Sequence, residues 1–423
     1  MSQKFRVPFG TMSITSSAKE MIAQALDDGK VTSGGLVGTF EKEFAKLMGV
    51  SHAVAVSTGT DADTLALATL HDRGARRGDE VIVPALSFVA TGNAVVHAGF
   101  TPVFVDIEYD TLNINVHRLE LAITERTRAI MPVHLMGKPA AMNEIMDIAK
   151  RYNLMVIEDA AEAHGATYHD RIVGSIGHMG AFSLYAAHII STIEGGIITT
   201  NDAELAEIIR SLRAHGRGCV CQQCVLSSSQ DYCAKRFRNG MDTRFTFPRI
   251  GYSSKMNELE AAVGLGNLAQ YENILQKRRA NLLHVLQRFH EFHPYLTTIT
   301  EADYEQIGPH AIPIIVSEKA PFSREDLATF LEHHGIETRT LFMSMPTQCP
   351  GFAYLNYKLG QFPVAEFMGR NGLHIGVHQD LKTDDMEYVL EMLDVFIKKH
   401  NRTKEEIAPV RRVTVLPDEQ PGS

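Results

Sequence analysis

Short β-branched runs alternate with longer amphipathic stretches through the first half of this chain, and few folds accommodate that alternation. The runs are His52–Val56, Glu80–Pro84, Pro102–Asp106, Ala129–His134 and Met155–Glu158, with segments such as Asp61–Arg73 and Ala140–Tyr152 between them. The pattern predicts βαβ units and a largely parallel sheet. Runs such as VIVP and MVIED read as strands buried on both faces. The character changes after about residue 250. Asn257–Ile274 reads as a helix with Asn257 as its N-cap and basic residues following at Lys277–Arg279. His310–Val316 reads as a strand, and Ser323–His334 and Asp384–Lys399 as helices. The expected class is α/β. A large domain spans 1–250 with a cysteine-rich insertion at about 215–245, and a smaller α+β domain spans 251–400. An irregular tail, 401–423, carries Pro409, Pro417 and Pro421.

Composition narrows the function. With 423 residues, 44% hydrophobic and 22% charged, the chain has the profile of a soluble globular protein with a sizeable core. Fifty acidic against 41 basic residues leave a net charge of −9, which argues against a general binder of nucleic acid or anionic membrane. No apolar run approaches the roughly 18 residues of a membrane span. The start, MSQKFRVPFG, has no apolar stretch of a secretory signal. The expected compartment is the cytoplasm, where structural disulfides are rare. Cys219, Cys221, Cys224 and Cys233 fall within fifteen residues, so they read as metal or iron–sulfur ligands before they read as disulfides. Thiolates suit soft metals and iron–sulfur clusters. Structural zinc more often shows two CxxC knuckles separated by a longer loop. The C-x-C-x2-C-x8-C spacing favours iron–sulfur, with zinc and free thiols as alternatives. Cys349 reads as an ordinary loop or core thiol.

Three segments converge on one chemistry. Ser57-Thr58-Gly59-Thr60-Asp61-Ala62 follows a strand and opens a helix, where free N–H groups suit a phosphate; a capped helix start is the plainer reading. In Val156-Ile157-Glu158-Asp159-Ala160-Ala161-Glu162-Ala163-His164-Gly165 a strand ends in acids at the carboxyl edge of the sheet, where open α/β folds bind ligands. A carboxylate there can hold a pyridinium nitrogen protonated; a helix N-cap is the alternative. The third segment is Gly180-Ala181-Phe182-Ser183-Leu184-Tyr185-Ala186-Ala187-His188, followed by Glu194-Gly195-Gly196.

Together with PALSFVATGNAV and GYSSKMNELEAAVG, these segments resemble the DegT/DnrJ/EryC1/StrS family of sugar aminotransferases and dehydratases, over roughly residues 5–400. The resemblance implies the PLP-dependent transferase fold type I, with a mostly parallel mixed sheet, and a homodimer with the active site at its interface. It implies that Gly59 and Thr60 bind the cofactor phosphate with Ser183 as a further contact. Phe88 would stack on the pyridine ring, Asp159 pair with the ring nitrogen, and Glu162 lie near the phenolic oxygen. Ser253 stands where relatives carry an asparagine that reaches the partner subunit's cofactor.

His188 occupies the position of the family's Schiff-base lysine, and histidine has no primary amine. A pseudoenzyme, an engineered replacement and a natural replacement with changed chemistry are the three readings. The last has a physical logic. A non-covalently held pyridoxamine phosphate (PMP, the amine form of PLP) condenses with a keto-sugar, and an imidazole removes a proton at C4′. This resembles the family's 3-dehydratases of nucleotide-linked 4-keto-6-deoxyhexoses, which often carry a second adjacent histidine where this chain has Ile189. With the cysteines, the pattern is similar to a branch acting on CDP-4-keto-6-deoxyglucose, which combines PMP, a histidine and a 2Fe–2S cluster fed by a flavin or ferredoxin-type reductase. Arg213, Arg217, Lys235, Arg236, Arg238, Arg244 and Arg249 are candidates for a nucleotide diphosphate or an acidic redox partner, or form a solvated basic loop. His164 and His215 read as local stabilisers, His215 lying near the cysteines. An aminotransferase and a non-catalytic redox-sensing homologue are the rival functions.

Overall fold

The computed structural model describes residues 5–221, 224–225 and 232–407, with 402–407 as helix backbone only. Seven strands form the main sheet: β1 (His52–Val56), β2 (Glu80–Pro84), β3 (Thr101–Val105), β4 (Thr127–Ile130), β5 (Met155–Asp159), β6 (Met179–Ser183) and β7 (Gly196–Thr200). Their order is β1-β7-β6-β5-β4-β2-β3. The ladders from β3 through β2, β4 and β5 to β6 are parallel, and β7 runs antiparallel to both β6 and β1. The sheet is thus mixed and mostly parallel, as the alternation predicts.

Apolar side chains on both faces of each strand explain why the sheet is buried. Val54, Val81, Val83 and Ile157 enter one core, and Ala55, Ile82, Ile130 and Val156 enter the other. Helices cover the faces: α1 (Ser16–Asp27), α2 (Gly35–Met48), α3 (Gly59–Ala68), α4 (Val89–His97), α5 (Met142–Tyr152), α6 (Ala203–Leu212) and α7 (Glu258–Leu268). Helix α8 (Tyr271–Arg288) leads to a four-stranded antiparallel sheet of β8 (Leu296–Thr297), β9 (Ala311–Val316), β10 (Thr338–Thr340) and β11 (Gly372–Gly376), in the order β8-β9-β11-β10. Helices α9 (Arg324–His333) and α10 (Thr383–Ile407) accompany it.

Three expectations shift. The helix expected over Asn257–Ile274 breaks at Ala269–Gln270 into α7 and α8, although Asn257 does cap α7, with Glu260 completing a capping box. Helix α7 packs on α1 and α2, so an element beyond residue 250 still belongs to the large body. Helix α10 continues through 401–407, where an irregular tail was expected, and 408–423 lie outside the described residues. Among the described residues no helix is long and apolar enough to cross a membrane.

Candidate active site

The carboxyl ends of β1, β2, β5 and β6 meet at one edge of the sheet, the place where parallel α/β sheets collect ligands. They surround a cavity of about 640 Å³ that contains every cofactor-site residue singled out above: Gly59, Thr60, Phe88, Asp159, Glu162, Ser183 and His188. After β1 the chain turns into α3 at Thr58, whose side chain accepts the Asp61 N–H. A Cβ at Gly59 would stand 2.6 Å from the Ser183 Cβ, so only glycine lets this turn approach the end of β6. The first N–H groups of α3 therefore face the cavity beside the Ser183 hydroxyl. Phe88, at the start of α4, is 56% exposed and tilts against Phe342 with ring centroids 5.5 Å apart.

Asp159 ends β5 and is buried. It accepts hydrogen bonds from the Thr91 hydroxyl at 2.7 Å and the Ala161 N–H at 3.2 Å. Burial raises its carboxyl above the ordinary range, and these two donors oppose the rise. Glu162 accepts the Met136 N–H at 2.8 Å. Burial pushes it up to about 8, the Met136 bond opposing and the Asp159 charge adding. His188 lies in the loop between β6 and β7 with its Nδ1 buried and unpartnered. Burial first, then the Arg278 and Arg339 cations, hold its imidazole down at about 3.

Two groups that the sequence reading missed complete the wall. His310, preceding β9, stacks toward His188 and brings its Nε2 to 3.5 Å from Glu162 Oε1. Asp63, on α3, is buried with Oδ1 unpartnered; burial and then the Asp159 charge raise its carboxyl well above the usual range. A position facing inward from an apolar helix was the available signal for Asp63. His310 had no local signal, because the small domain brings it in. His164 is buried without a partner on either ring nitrogen, packed against Phe44 and Phe182, and His215 is exposed with φ 64°.

The cysteines lie elsewhere, after α6. Cys219, Cys221, Cys224 and Cys233 are half-buried, and among the described residues they form no disulfide. Cys219 and Cys221 hydrogen-bond each other, Cys233 stands close enough to act on Cys221, and burial raises the Cys221 thiol. A cavity of about 500 Å³ opens beside Cys219 and Cys221. Four thiols and this space fit a soft metal or iron–sulfur group in donor chemistry. Among the described residues no three such side chains are already gathered around one point, so the protein alone does not preform the coordination. Much of the basic cluster is internally paired. Arg213 is buried against Glu41, Arg249 pairs with Asp72 at 2.7 Å, and Arg236 and Arg244 share Asp242. Lys235 and Arg238 remain exposed at the rim. Cys349 is half-buried against the core.

The signature of the DegT/DnrJ/EryC1/StrS aminotransferase family matches residues 12–394. The chain belongs to that family. It is 32% identical to the lipopolysaccharide biosynthesis protein RfbH of Salmonella typhimurium, covering 92% of this chain and 91% of that protein. It is 35% identical to the dTDP-4-dehydro-2,6-dideoxy-D-glucose 3-dehydratase of Saccharopolyspora spinosa (88% and 82% covered) and 34% identical to the GDP-perosamine synthase of Caulobacter vibrioides (93% and 99% covered). Among solved structures it superposes on E. coli GDP-4-keto-6-deoxy-D-mannose-3-dehydratase with bound hydrated PLP at a TM-score of 0.80, with 29% identity and 92% and 99% of the chains covered.

As a DegT/DnrJ/EryC1/StrS member with this fold, the chain is a vitamin B6-dependent sugar-modifying enzyme, a dehydratase or an aminotransferase. The residues present fit the cofactor. The Gly59 cradle admits a phosphate at a helix start. Asp159 offers a buried carboxylate, Phe88 an open aromatic face, and the cavity volume suits a cofactor-sized ligand with further room. No lysine lines this cavity among the described residues.

Proposed function

We propose that this chain is a PMP-dependent 3-dehydratase of a nucleotide-linked 4-keto-6-deoxyhexose. The carrying observation is that His188 lines a cavity that no described lysine lines, which supports an imidazole in place of an amine at the cofactor. The relatives' names divide between dehydratases and aminotransferases and do not decide the reaction; the side chain at 188 supports dehydration.

When bound, PMP supplies a primary amine for the keto-sugar and a ring that withdraws electrons. The protein does the rest. The N–H groups of Gly59 and Thr60, with the Ser183 hydroxyl, would hold the phosphate. Phe88 would cover one ring face. Asp159, aimed by Thr91 and Ala161, would hold the proton on the ring nitrogen. Glu162, fixed by Met136, would stand by the phenolic oxygen. His188, neutral at physiological pH, would be the base for the proton at C4′. With no described lysine lining the cavity to compete, loss of the C3 hydroxyl would be favoured over amine transfer.

In the same reading Cys219, Cys221, Cys224 and Cys233 hold a 2Fe–2S cluster that receives electrons from a separate flavin or ferredoxin-type reductase, and the working unit is a homodimer. The support is the four-thiol donor set and the space beside it.

The test is incubation of the PMP-loaded protein with CDP-, GDP- and dTDP-linked 4-keto-6-deoxyhexoses, followed by mass spectrometry of the sugar. Loss of the C3 oxygen is the expected result. An amino sugar as the main product returns the chain to the aminotransferases.

A further inference from the structure

Arg210 is the anomaly of the cysteine region. It sits on α6 with 8% of its surface exposed, and its Nε is buried with no partner. Among the described residues it makes no hydrogen bond or ion pair. Its neighbour one turn on, Arg213, is also buried but is satisfied by Glu41 and by the Ala55 carbonyl. Glu41 and Glu207 are within electrostatic reach of Arg210, but Glu41 is bonded to Arg213, and Glu207, exposed one turn earlier on the wall of the same cavity, makes no ion pair with Arg210 among the described residues. A buried guanidinium N–H left without an acceptor is costly and is rarely retained without a compensating group. Arg210 lines the 500 Å³ cavity together with Cys219, Cys221, Glu207, Lys235 and Arg238. An anionic group in this space would supply the acceptor that the Arg210 Nε lacks.

We propose that Arg210 is the counter-cation of the four-cysteine centre, set to offset the negative charge of a thiolate-held 2Fe–2S cluster and thereby to favour its reduced state. This rests on the cluster assignment above and adds to it a residue that touches no sugar and no vitamin B6 cofactor. The physics is direct. Four thiolates around two ferric ions and two sulfides carry a net charge of about −2, and one-electron reduction adds another negative charge. A fixed cation in a poorly solvated site stabilises the more negative state more than the less negative one. Arg210 therefore raises the reduction potential, and burial keeps salt from screening it. Lys235 and Arg238 are exposed, so water and ions weaken their influence.

The experiment is an EPR-monitored redox titration of the full chain, reconstituted anaerobically with iron and sulfide, for wild type, R210Q, R210K and R238Q. Removing the Arg210 charge is expected to shift the reduction equilibrium about tenfold toward the oxidised cluster, roughly 59 mV for one electron. R210K is expected to keep most of the wild-type potential, and R238Q to shift it by much less than R210Q. Assembly of the cluster in R210K but not in R210Q also supports the charge role. An R210Q potential equal to wild type or to R238Q overturns the proposal while leaving the cluster assignment intact. Equal loss of the cluster in R210Q and R210K also overturns it, since shape and not charge is then what matters. Absence of iron from wild type after reconstitution overturns both, and the iron content separates that case from the others. If iron-free wild type instead binds inorganic pyrophosphate and R210Q does not, the cavity is a diphosphate site and the counter-cation assignment falls.

Discussion

The His188 and His310 rings lie 5.1 Å apart at an interplanar angle of 32°, and His310 in turn reaches Glu162. Three titratable groups from three distant segments thus line one side of the cavity. Burial holds both imidazoles in the neutral form and pushes Glu162 up to about 8, so at neutral pH the proton of this group resides on the carboxyl. A neutral imidazole has a lone pair free to accept a proton, and the surroundings that hold its pKa low also weaken it as a base.

The first prediction follows from that role. His188→Asn removes the base but keeps a polar side chain of similar reach. Product formation should fall by about 10²–10⁴. PMP affinity and any iron content should stay near wild type, because neither the Gly59 turn nor the cysteines contact residue 188 through a hydrogen bond. Retained turnover in this variant places the base elsewhere.

The second concerns pH. Glu162 titrates near 8 in the folded chain and ordinarily at 4.5, so the folded state binds more protons between those values. Stability should therefore fall as pH rises from about 4.5 to about 8. Glu162→Gln keeps an oxygen for the Met136 N–H and removes the titration. Its denaturation midpoint should exceed that of wild type at pH 8 and match it near pH 4.5, with a gap worth roughly a few kcal/mol at most. Urea denaturation across that range is the measurement, and parallel curves for the two proteins refute it.

The third tests the phosphate turn. In Gly59→Ala the new methyl would lie 2.6 Å from the Ser183 Cβ, so the turn or β6 must move. PMP and PLP affinity should drop at least about tenfold, or 1.4 kcal/mol, in an absorbance titration. Gly38→Ala, in α2 with open space around it, is the control and should leave affinity unchanged.

Much of this was legible in local sequence, and the exceptions share a cause. Strand β5 and Asp159 stand out because five residues of buried strand end in acids at a sheet edge. The Gly59 turn stands out because small and hydroxyl residues follow a β-branched run. Arg213 did not read correctly. It looks like part of a basic loop, and its true partner, Glu41, lies 172 residues away. His310 entered the site only because β9 packs the small domain against the cavity, and Asp63 only because α3 turns that face inward. The break between α7 and α8 lacks glycine or proline, so its helical pattern carries no stop signal. Local chemistry is written in short motifs, whereas pairing across the fold depends on topology that periodicity does not specify.

The last prediction restores an amine at position 188. The wild-type site holds the His188 cation at a disadvantage through burial and the Arg278 and Arg339 charges. A lysine ammonium there meets the same surroundings, so its pKa should fall and the neutral amine should become available for attack. His188→Lys loaded with PLP should therefore form a Schiff base, giving a visible absorbance band. After borohydride reduction it should yield a pyridoxyl adduct on the peptide containing residue 188. Wild type treated identically should give no adduct on any peptide lining the cavity, since no described lysine lies there. An adduct in wild type shows that an amine from outside the described cavity reaches the cofactor, and the case for His188 as its replacement is lost. Absence of an adduct in His188→Lys, with PLP bound, shows that residue 188 does not face the cofactor's C4′, and the proposed base is misplaced. If both results are as expected, one side chain separates this site from an amine-transferring one, and the same variant assayed with an amino donor measures how much of the transfer reaction that single exchange recovers.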